Sequence, residues 1–204
     1  MSGRSIDVAV KAIRTYTAER DNDANSEKKI RREIITWLNL DHNNVVPLFG
    51  TTMNFGRLPA MVCPWLENGS LTFYLERPNS IFTITHRLSL VIDVAVGLQY
   101  LHSRSVVHGD LSGSNVLVDG EGRACISDFG LSTLLTGLGR SSCATFYPYP
   151  GTQRWTAPEL LEFRGRDGDD APLNISPSPR GDVYSFGRVM LQVCPSSTTF
   201  ALAR

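Results

Sequence analysis

The chain has 204 residues, a size that fits one domain or two small lobes around a cleft. Its 20 basic and 20 acidic residues balance and 42% of its residues are hydrophobic, which excludes a disordered tail and leaves no net charge to attract nucleic acid or an anionic membrane. No apolar run approaches the roughly 18 residues that span a bilayer, and the first residues lack a signal-peptide pattern. We therefore expect a cytoplasmic protein without nucleic-acid or membrane partners.

The first third of the chain is dominated by predicted strands. Three short apolar runs are either rich in β-branched residues or bordered by turn residues, and both features are typical of strands: Ile6–Ile13, Val45–Phe49 and Leu58–Cys63. Between the first two runs, apolar residues recur at helical spacing: Ile30, Ile34, Trp37 and Leu38.

The remainder of the chain is mainly helical in pattern. The longest helical pattern runs from Thr85 to His102 and predicts one buried face: Leu88, Val91, Ile92, Ala95 and Leu98. A tight hairpin is predicted from Val116–Val118 and Ala124–Ser127, and a further helix from Val183 to Val193. Early strands followed by helices predict an α+β fold in two lobes.

Two acidic motifs flank the predicted hairpin. In the loop before it, Asp110 lies five residues ahead of Asn115, and at its far end Asp128 begins an Asp-Phe-Gly motif. A carboxylate can accept a proton from an attacking hydroxyl, and carboxylate and amide oxygens are ligands for Mg²⁺. Each motif alone also fits an ordinary turn, but a hairpin would bring Asn115 and Asp128 to one metal site. The pair therefore predicts phosphoryl transfer.

With these motifs the chain resembles the eukaryotic-type protein kinases. Four further motifs occur in the order of that family: Val8-Ala9-Val10-Lys11, Arg32-Glu33-Ile34, Ala157-Pro158-Glu159 and Asp182-Val183-Tyr184-Ser185-Phe186-Gly187. The resemblance implies the bilobal kinase fold over a single domain, 1–204. It places a small, mostly β N-lobe at about 1–63, a hinge at 64–69, a mostly α C-lobe at 70–193 and an unrecognised tail at 194–204. Gly151-Thr152 with Trp155-Thr156 is most similar to the tyrosine-kinase-like group of Ser/Thr kinases.

The resemblance also implies roles for individual residues. Lys11 would hold the α and β phosphates of ATP and pair with Glu33, and Asp110 would be the catalytic base. Asn115 and Asp128 would hold Mg²⁺. Four residues would surround the adenine ring: Ala9, Pro64, Leu66 and Leu117.

Two of these residues have a second interpretation on their own. Lys11 also fits an edge strand with its amine in water, and Glu33 also fits a surface helix as the partner of Lys29. The interpretation of Lys11 as the residue that holds the ATP phosphates requires a nearby anion, because burying an unpaired ammonium is costly.

The sequence departs from the kinase pattern at both ends and in the catalytic loop. No Gly-rich loop precedes Ile6 and the pattern stops in the helix from Asp182 to Val193, so we expect a kinase domain cut short at both ends. Gly109 stands where the family has Arg, and Ser112 stands where Ser/Thr kinases have Lys. The missing lysine removes a cation near the transferred phosphoryl group.

The expected function is transfer of the ATP γ-phosphate to Ser or Thr hydroxyls of protein substrates in intracellular signalling. The alternative is an inactive pseudokinase-like module that binds ATP or a partner, or a fragment without activity. Small-molecule kinases share the His-Gly-Asp loop but lack the Ala-Pro-Glu and Asp-Val-Tyr-Ser-Phe-Gly motifs, which argues against that class.

Overall fold

The computed structural model describes residues 6–12, 31, 34–56, 58–78, 82–129, 153–161 and 177–194. Its strands are β1 (Val8–Lys11), β2 (Gly50–Thr52), β3 (Ala60–Pro64), β4 (Val116–Val118) and β5 (Ala124–Ile126). Its helices are α1 (34–38), α2 (Leu71–Leu75), α3 (Ile84–Ser103), α4 (Pro158–Leu161) and α5 (Pro179–Val193), with a 3₁₀ turn at Gln153–Trp155. Glu33 and the ends of the chain lie outside the described residues.

The first three strands form an antiparallel sheet in the order β1-β3-β2. Ala9 pairs with Cys63 and Lys11 pairs with Met61, so β1 lies at the edge of this sheet among the described strands. A small sheet followed by a mainly helical part confirms the predicted α+β class. The boundaries of the two lobes stay a prediction.

The β4–β5 hairpin confirms the predicted turn. Val116 pairs with Ile126, and the connecting turn is organised by Asp119, whose side chain accepts hydrogen bonds from the backbone N–H groups of Glu121 and Arg123. Gly122 adopts φ 83°, a left-handed conformation that glycine reaches without steric cost.

Helix α3 confirms the predicted helix but only part of its predicted buried face, since Val91 and Leu98 are buried as expected. Thr83 caps the helix by accepting a hydrogen bond from His86 N. Leu88 is 48% exposed and Ile92 is 60% exposed, although both were expected inside. The buried face consists of Leu90, Val91, Val94, Gly97, Leu98 and Leu101. The helix is apolar on most sides, so its periodicity alone did not identify the face that packs inward.

The segment predicted as a strand at Val45–Phe49 is not one. Val45 forms a single bridge with Ile126, and Val46 N donates to Ile126 O over 2.9 Å, while β2 begins only at Gly50. Val45 and Val46 are each 2% exposed. They are buried as irregular chain beneath β5, and an apolar run cannot distinguish that environment from a strand. In α1, Ile34 and Trp37 are buried as predicted, whereas Leu38 is 48% exposed.

Helix α5 packs against α3 and against the 3₁₀ turn. Ser178 caps it by accepting from Gly181 N, and Pro179 occupies the first turn, where no backbone donor is needed. Val189 and Val193 are fully buried, and Arg87 of α3 donates to the carbonyl of Val193 over 2.5 Å. Among the described residues, no helix has the length and hydropathy that a membrane span requires.

Candidate active site

The loop that carries Asp110 is held by a carboxylate in the first turn of α5. Asp182 is 2% exposed, and its two oxygens accept the backbone N–H groups of His108 and Gly109, each over 2.8 Å. His102 Nε2 lies 2.8 Å from the same carboxylate. Gly109 adopts φ 79°, which suits glycine. A buried acceptor therefore fixes the backbone immediately before Asp110.

His108 ties this loop to the strand end that precedes Asp128. Its Nε2 lies 3.0 Å from Ser127 O, and its Nδ1 accepts the backbone N–H of Asp110 over 3.2 Å. Burial lowers the pKa of His108, more than the nearby carboxylates raise it. The neutral imidazole, with one donor nitrogen and one acceptor nitrogen, satisfies both contacts.

Asn115 connects the two acidic motifs. Its Nδ2 donates to the backbone oxygen of Asp110 over 2.7 Å and to Asp110 Oδ2 over 3.1 Å. The carbonyl of Asn115 accepts from both the backbone N–H and the hydroxyl of Ser127, each over 2.9 Å. Because the amide nitrogen faces Asp110, the amide oxygen is left as a ligand of the kind that Mg²⁺ prefers.

Asp128 is held in an uncommon backbone conformation and is paired with Lys11. Its φ is 60°, and the next residue, Phe129, is buried with its ring 4.9 Å from that of Trp37 in an edge-to-face contact. Lys11 Nζ lies 2.5 Å from Asp128 Oδ2, with the two side chains 42% and 30% exposed. Lys11 thus lies on an edge strand, as one interpretation of the sequence had it, but its ammonium contacts a carboxylate.

Burial changes the acid strength of two groups at this site. Desolvation raises the pKa of Asp110 to about 6, with a further rise from Asp128, against lowering by the Asn115 hydrogen bond and by Lys11. Desolvation likewise raises the pKa of the Cys63 thiol to about 11, so this thiol is neutral at physiological pH. Asp110 is thereby a stronger base than an exposed aspartate and is still mostly ionised at neutral pH.

The residues predicted around adenine lie on three segments. Ala9 lies on β1 opposite Cys63, Pro64 ends β3, and Leu66 follows it. Leu117 forms a bridge with Ser70, next to hydrogen bonds that join 68–69 to Val118. All four predicted residues are half-buried: Ala9, Pro64, Leu66 and Leu117. Glu33 lies outside the described residues, so its pairing with Lys11 stays a prediction.

A contact at Gly113, three residues beyond Asp110, was not predicted from the sequence. A Cβ at this position would collide with the side-chain amide of Gln192 and would come within 2.7 Å of Thr72 Oγ1. Gln192 Nε2 donates to Thr72 Oγ1 over 3.0 Å, and Thr72 N donates to Gly113 O over 3.1 Å. The last turn of α5 therefore contacts the same loop that Asp182 holds. The signal in the sequence was the glycine itself, which lies in the turn that Asn115 N closes by donating to Ser112 O.

The donor atoms of Asp128 and Asn115 are of the kind that suits a hard cation completed by another molecule. Among the described residues, no group of three or more His, Cys, Asp or Glu side chains is arranged to hold a metal by itself. One carboxylate and one amide oxygen supply part of an octahedral shell, and Mg²⁺ commonly takes its remaining ligands from phosphates and water.

A comparison with protein families decides the class of this chain. The family described as "Protein tyrosine and serine/threonine kinase" matches residues 1–200. The chain belongs to this kinase family. The predicted resemblance to protein kinases is therefore confirmed.

The relatives that match this chain include a receptor and kinases named for serine, threonine or tyrosine. Ephrin type-A receptor 8 of Mus musculus is 35% identical over 194 residues, which cover 93% of this chain and 17% of the relative. Receptor-interacting serine/threonine-protein kinase 3 of Rattus norvegicus is 37% identical over 191 residues, covering 90% and 35%. Serine/threonine/tyrosine-protein kinase HT1 of Arabidopsis thaliana is 31% identical over 198 residues, covering 95% and 45%. The kinase domain studied here thus spans less than half the length of these relatives.

Proposed function

We propose that this kinase domain uses Mg²⁺ and ATP to phosphorylate Ser or Thr hydroxyls of protein substrates. The observation that carries the proposal is the double role of Asn115. Its side chain holds Asp110, and its backbone carbonyl holds Ser127, the residue before Asp128. One residue thereby joins a candidate base to a candidate metal ligand, which is the arrangement that phosphoryl transfer to a hydroxyl requires.

In this proposal Asp110 accepts the proton of the attacking hydroxyl. Asn115 orients the carboxylate through Oδ2, and no hydrogen bond within the described residues occupies Oδ1. The pKa of about 6 brings its basicity closer to neutral pH, where a general base works best. The oriented oxygen can thus receive a proton as the hydroxyl attacks.

Lys11 supplies the positive charge on the opposite side of the site. Its ammonium neutralises Asp128. With ATP bound, Lys11 would contact the phosphates, and Mg²⁺ held by Asn115 and Asp128 would neutralise charge on the transferred group. Ala9, Pro64, Leu66 and Leu117 would surround the adenine.

Two sequence features favour Ser or Thr over Tyr as the acceptor. Gly151-Thr152 is typical of Ser/Thr kinases, and the loop between Asp110 and Asn115 contains no arginine of the tyrosine-kinase type. One of the relatives, receptor-interacting serine/threonine-protein kinase 3, is named for that specificity. We include protein substrates in the proposal because the matching family is one of protein kinases, and we keep the expected cytoplasmic location as a further part of it.

The second candidate function is an inactive module that binds nucleotide. One observation favours it: Ser112 is fully buried and its hydroxyl has no hydrogen-bond partner in the part of the chain that the structure describes. At this position Ser/Thr kinases place a lysine beside the transferred phosphoryl. Without that cation, charge that develops in the transition state receives less stabilisation.

Labelled ATP and a peptide library separate these functions. We expect Mg²⁺-dependent label on phosphoserine and phosphothreonine, with loss of the label in Asp110→Asn. Asp41→Asn, at an exposed position, is the matched control and should keep activity. Label mainly on phosphotyrosine would refute the proposed specificity. Saturable nucleotide binding without label on any peptide would establish the inactive module instead.

A further inference from the structure

Strand β1 directs the backbone groups of alternate residues away from its own sheet. Among the described strands β1 lies at the edge, so that β3 covers only one of its two sides. Trp65 N donates to Asp7 O over 3.2 Å, so the backbone groups of Asp7 point toward β3. Because this direction alternates along an antiparallel strand, those of Ala9 point toward β3 as well. Those of Val8 and Val10 point to the outer edge, where no described strand pairs with them.

The side chains of β1 are also exposed. On one face of the strand Ile6 is 67% exposed, Val8 43% and Val10 38%. On the other face Asp7 is exposed, and the Lys11 side chain is 42% exposed. An exposed apolar edge strand with unpaired backbone groups is a surface to which a further strand can add.

The sequence of β1 is complementary to itself in the antiparallel direction. With Ala9 opposite Ala9 of a second copy, Val8 faces Val10 and Asp7 faces Lys11, and the same pairs recur across the two-fold axis. The outward backbone groups of Val8 and Val10 then form about four hydrogen bonds between the copies. Asp7 and Lys11 occupy pairs without hydrogen bonds, where opposing side chains lie closest, and their charges are opposite.

The charges select this register over its neighbours. Moving the axis to Val8 would place Asp7 opposite Ala9, and moving it to Val10 would place Lys11 opposite Ala9. Neither alternative pairs opposite charges within β1. The existing contact of Lys11 with Asp128 is compatible with the pairing, because an ammonium has three donors and this one is partly exposed.

We propose that two copies of this chain associate by antiparallel pairing of β1 with β1, about a two-fold axis at Ala9. The two three-stranded sheets then join into one continuous sheet. A contact through one pair of strands buries little surface, so the dimer is weak, with a dissociation constant of about 10–100 µM. The proposal is independent of the proposed function, since it concerns association and not phosphoryl transfer.

Sedimentation velocity of the 204-residue chain over about 1–500 µM tests the pairing. We expect the wild type to change from monomer to dimer as its concentration rises. Asp7→Lys and Lys11→Glu should each weaken the dimer at least about tenfold, because two attractive contacts become repulsive. An equimolar mixture of these two variants should recover the dimer, because each contact again joins opposite charges.

Two further variants separate the pairing from effects on folding or on net charge. Val8→Pro removes a donor that points to the outer edge and leaves the hydrogen bonds to β3 in place, so it should melt cooperatively and stay monomeric. Asp41→Lys, the matched control, makes the same charge change at an exposed position outside β1 and should dimerise like the wild type.

Four results would each overturn the proposal. They are a wild type that stays monomeric at the highest concentration, a dimer that survives in both Asp7→Lys and Val8→Pro, assembly that continues beyond the dimer, and no recovery when the two folded charge variants are mixed.

Discussion

Lys11 and Asp128 neutralise each other, with 2.5 Å between the ammonium and one carboxylate oxygen. The proposed function gives these groups opposite ligands, since one would bind phosphate and the other Mg²⁺. A metal ion that binds alone at Asp128 must therefore displace the Lys11 ammonium. A phosphate that binds alone at Lys11 must displace the Asp128 carboxylate. Bound together, as Mg²⁺-ATP, they replace the ion pair with two favourable contacts.

Lys11→Met should change the affinities for metal and for nucleotide in opposite directions. Without nucleotide, removing the ammonium frees Asp128, so Mn²⁺ used as a probe should bind several times more tightly than to the wild type. ATP in the absence of metal should bind more weakly, because the phosphates lose a cation. Titrations followed by electron paramagnetic resonance and by calorimetry measure the two affinities. Weaker binding of Mn²⁺ in this variant would contradict the competition.

Asp110→Asn should abolish phosphoryl transfer and stabilise the metal-free fold. Its pKa of about 6, against an ordinary value of 3.8, means that the folded state holds the ionised carboxylate at a cost. The neutral amide avoids that cost, so we expect a gain of about 1–3 kcal/mol in the free energy of unfolding at pH 7.

The gain from Asp110→Asn should depend on pH. Below about pH 6 the folded wild type takes up a proton at Asp110 before the unfolded chain does, so its stability rises toward that of the variant as the pH falls to about 4. Thermal melts of both proteins between pH 4.5 and 8 measure the difference. A stability difference that does not shrink toward low pH would show that desolvation of Asp110 is not its cause.

Gly113→Ala should disturb the catalytic loop through Gln192. The added Cβ would collide with the Gln192 amide, so we expect about 1–3 kcal/mol of destabilisation and a lower kcat with little change in KM for ATP. Combining Gln192→Ala with Gly113→Ala should restore part of the lost stability and part of the lost kcat.

Gly187→Ala is the control for this pair. It lies in α5 with no atom within 4 Å of the added Cβ, so it should be neutral or stabilising by up to about 1 kcal/mol. Failure of Gln192→Ala to improve Gly113→Ala would place the strain at Thr72 instead.

Asp182→Ala should release the loop before Asp110. Two backbone donors, those of the buried His108 and the half-buried Gly109, lose their acceptor, which costs about 2–5 kcal/mol. Hydrogen exchange at Gly109 should rise more than the global loss of stability explains. Asp93→Ala, which removes the acceptor of Ala124 N, should destabilise the protein without selective exchange at Gly109. Equal exchange in the two variants would refute an anchoring role for Asp182.

Short-range sequence patterns predicted those elements that are determined by contacts between residues close together in the chain. The turn from Asp119 to Gly122 determined the hairpin, and the long apolar pattern from Thr85 to His102 predicted α3. The motif residues Asp110, Asn115 and Asp128 could be placed near one another because the hairpin between them is short. The structure brings them together, while their catalytic roles stay predictions.

Contacts between segments that are far apart in the chain could not be predicted from the sequence. Which side of α3 is buried depends on α5 and on the chain near Asn44, and the sequence of α3 is apolar on most sides. The pairing of Lys11 with Asp128 depends on the sheet edge approaching the far end of β5. The stretch at Val45 was predicted as a strand because burial alone makes a run apolar, whatever its hydrogen bonding.

The separation of Asp182 from the loop that it holds has a consequence for synthesis of the protein. The hydrogen bond from His108 N to Asp182 joins residues 74 positions apart. At about 5–20 residues per second, a ribosome adds those positions in roughly 4–15 seconds. During that interval the catalytic loop has emerged while its acceptor has not yet been made. The loop cannot acquire its final geometry until α5 has been translated, so a nascent chain should fold its hairpin well before it is able to position Asp110.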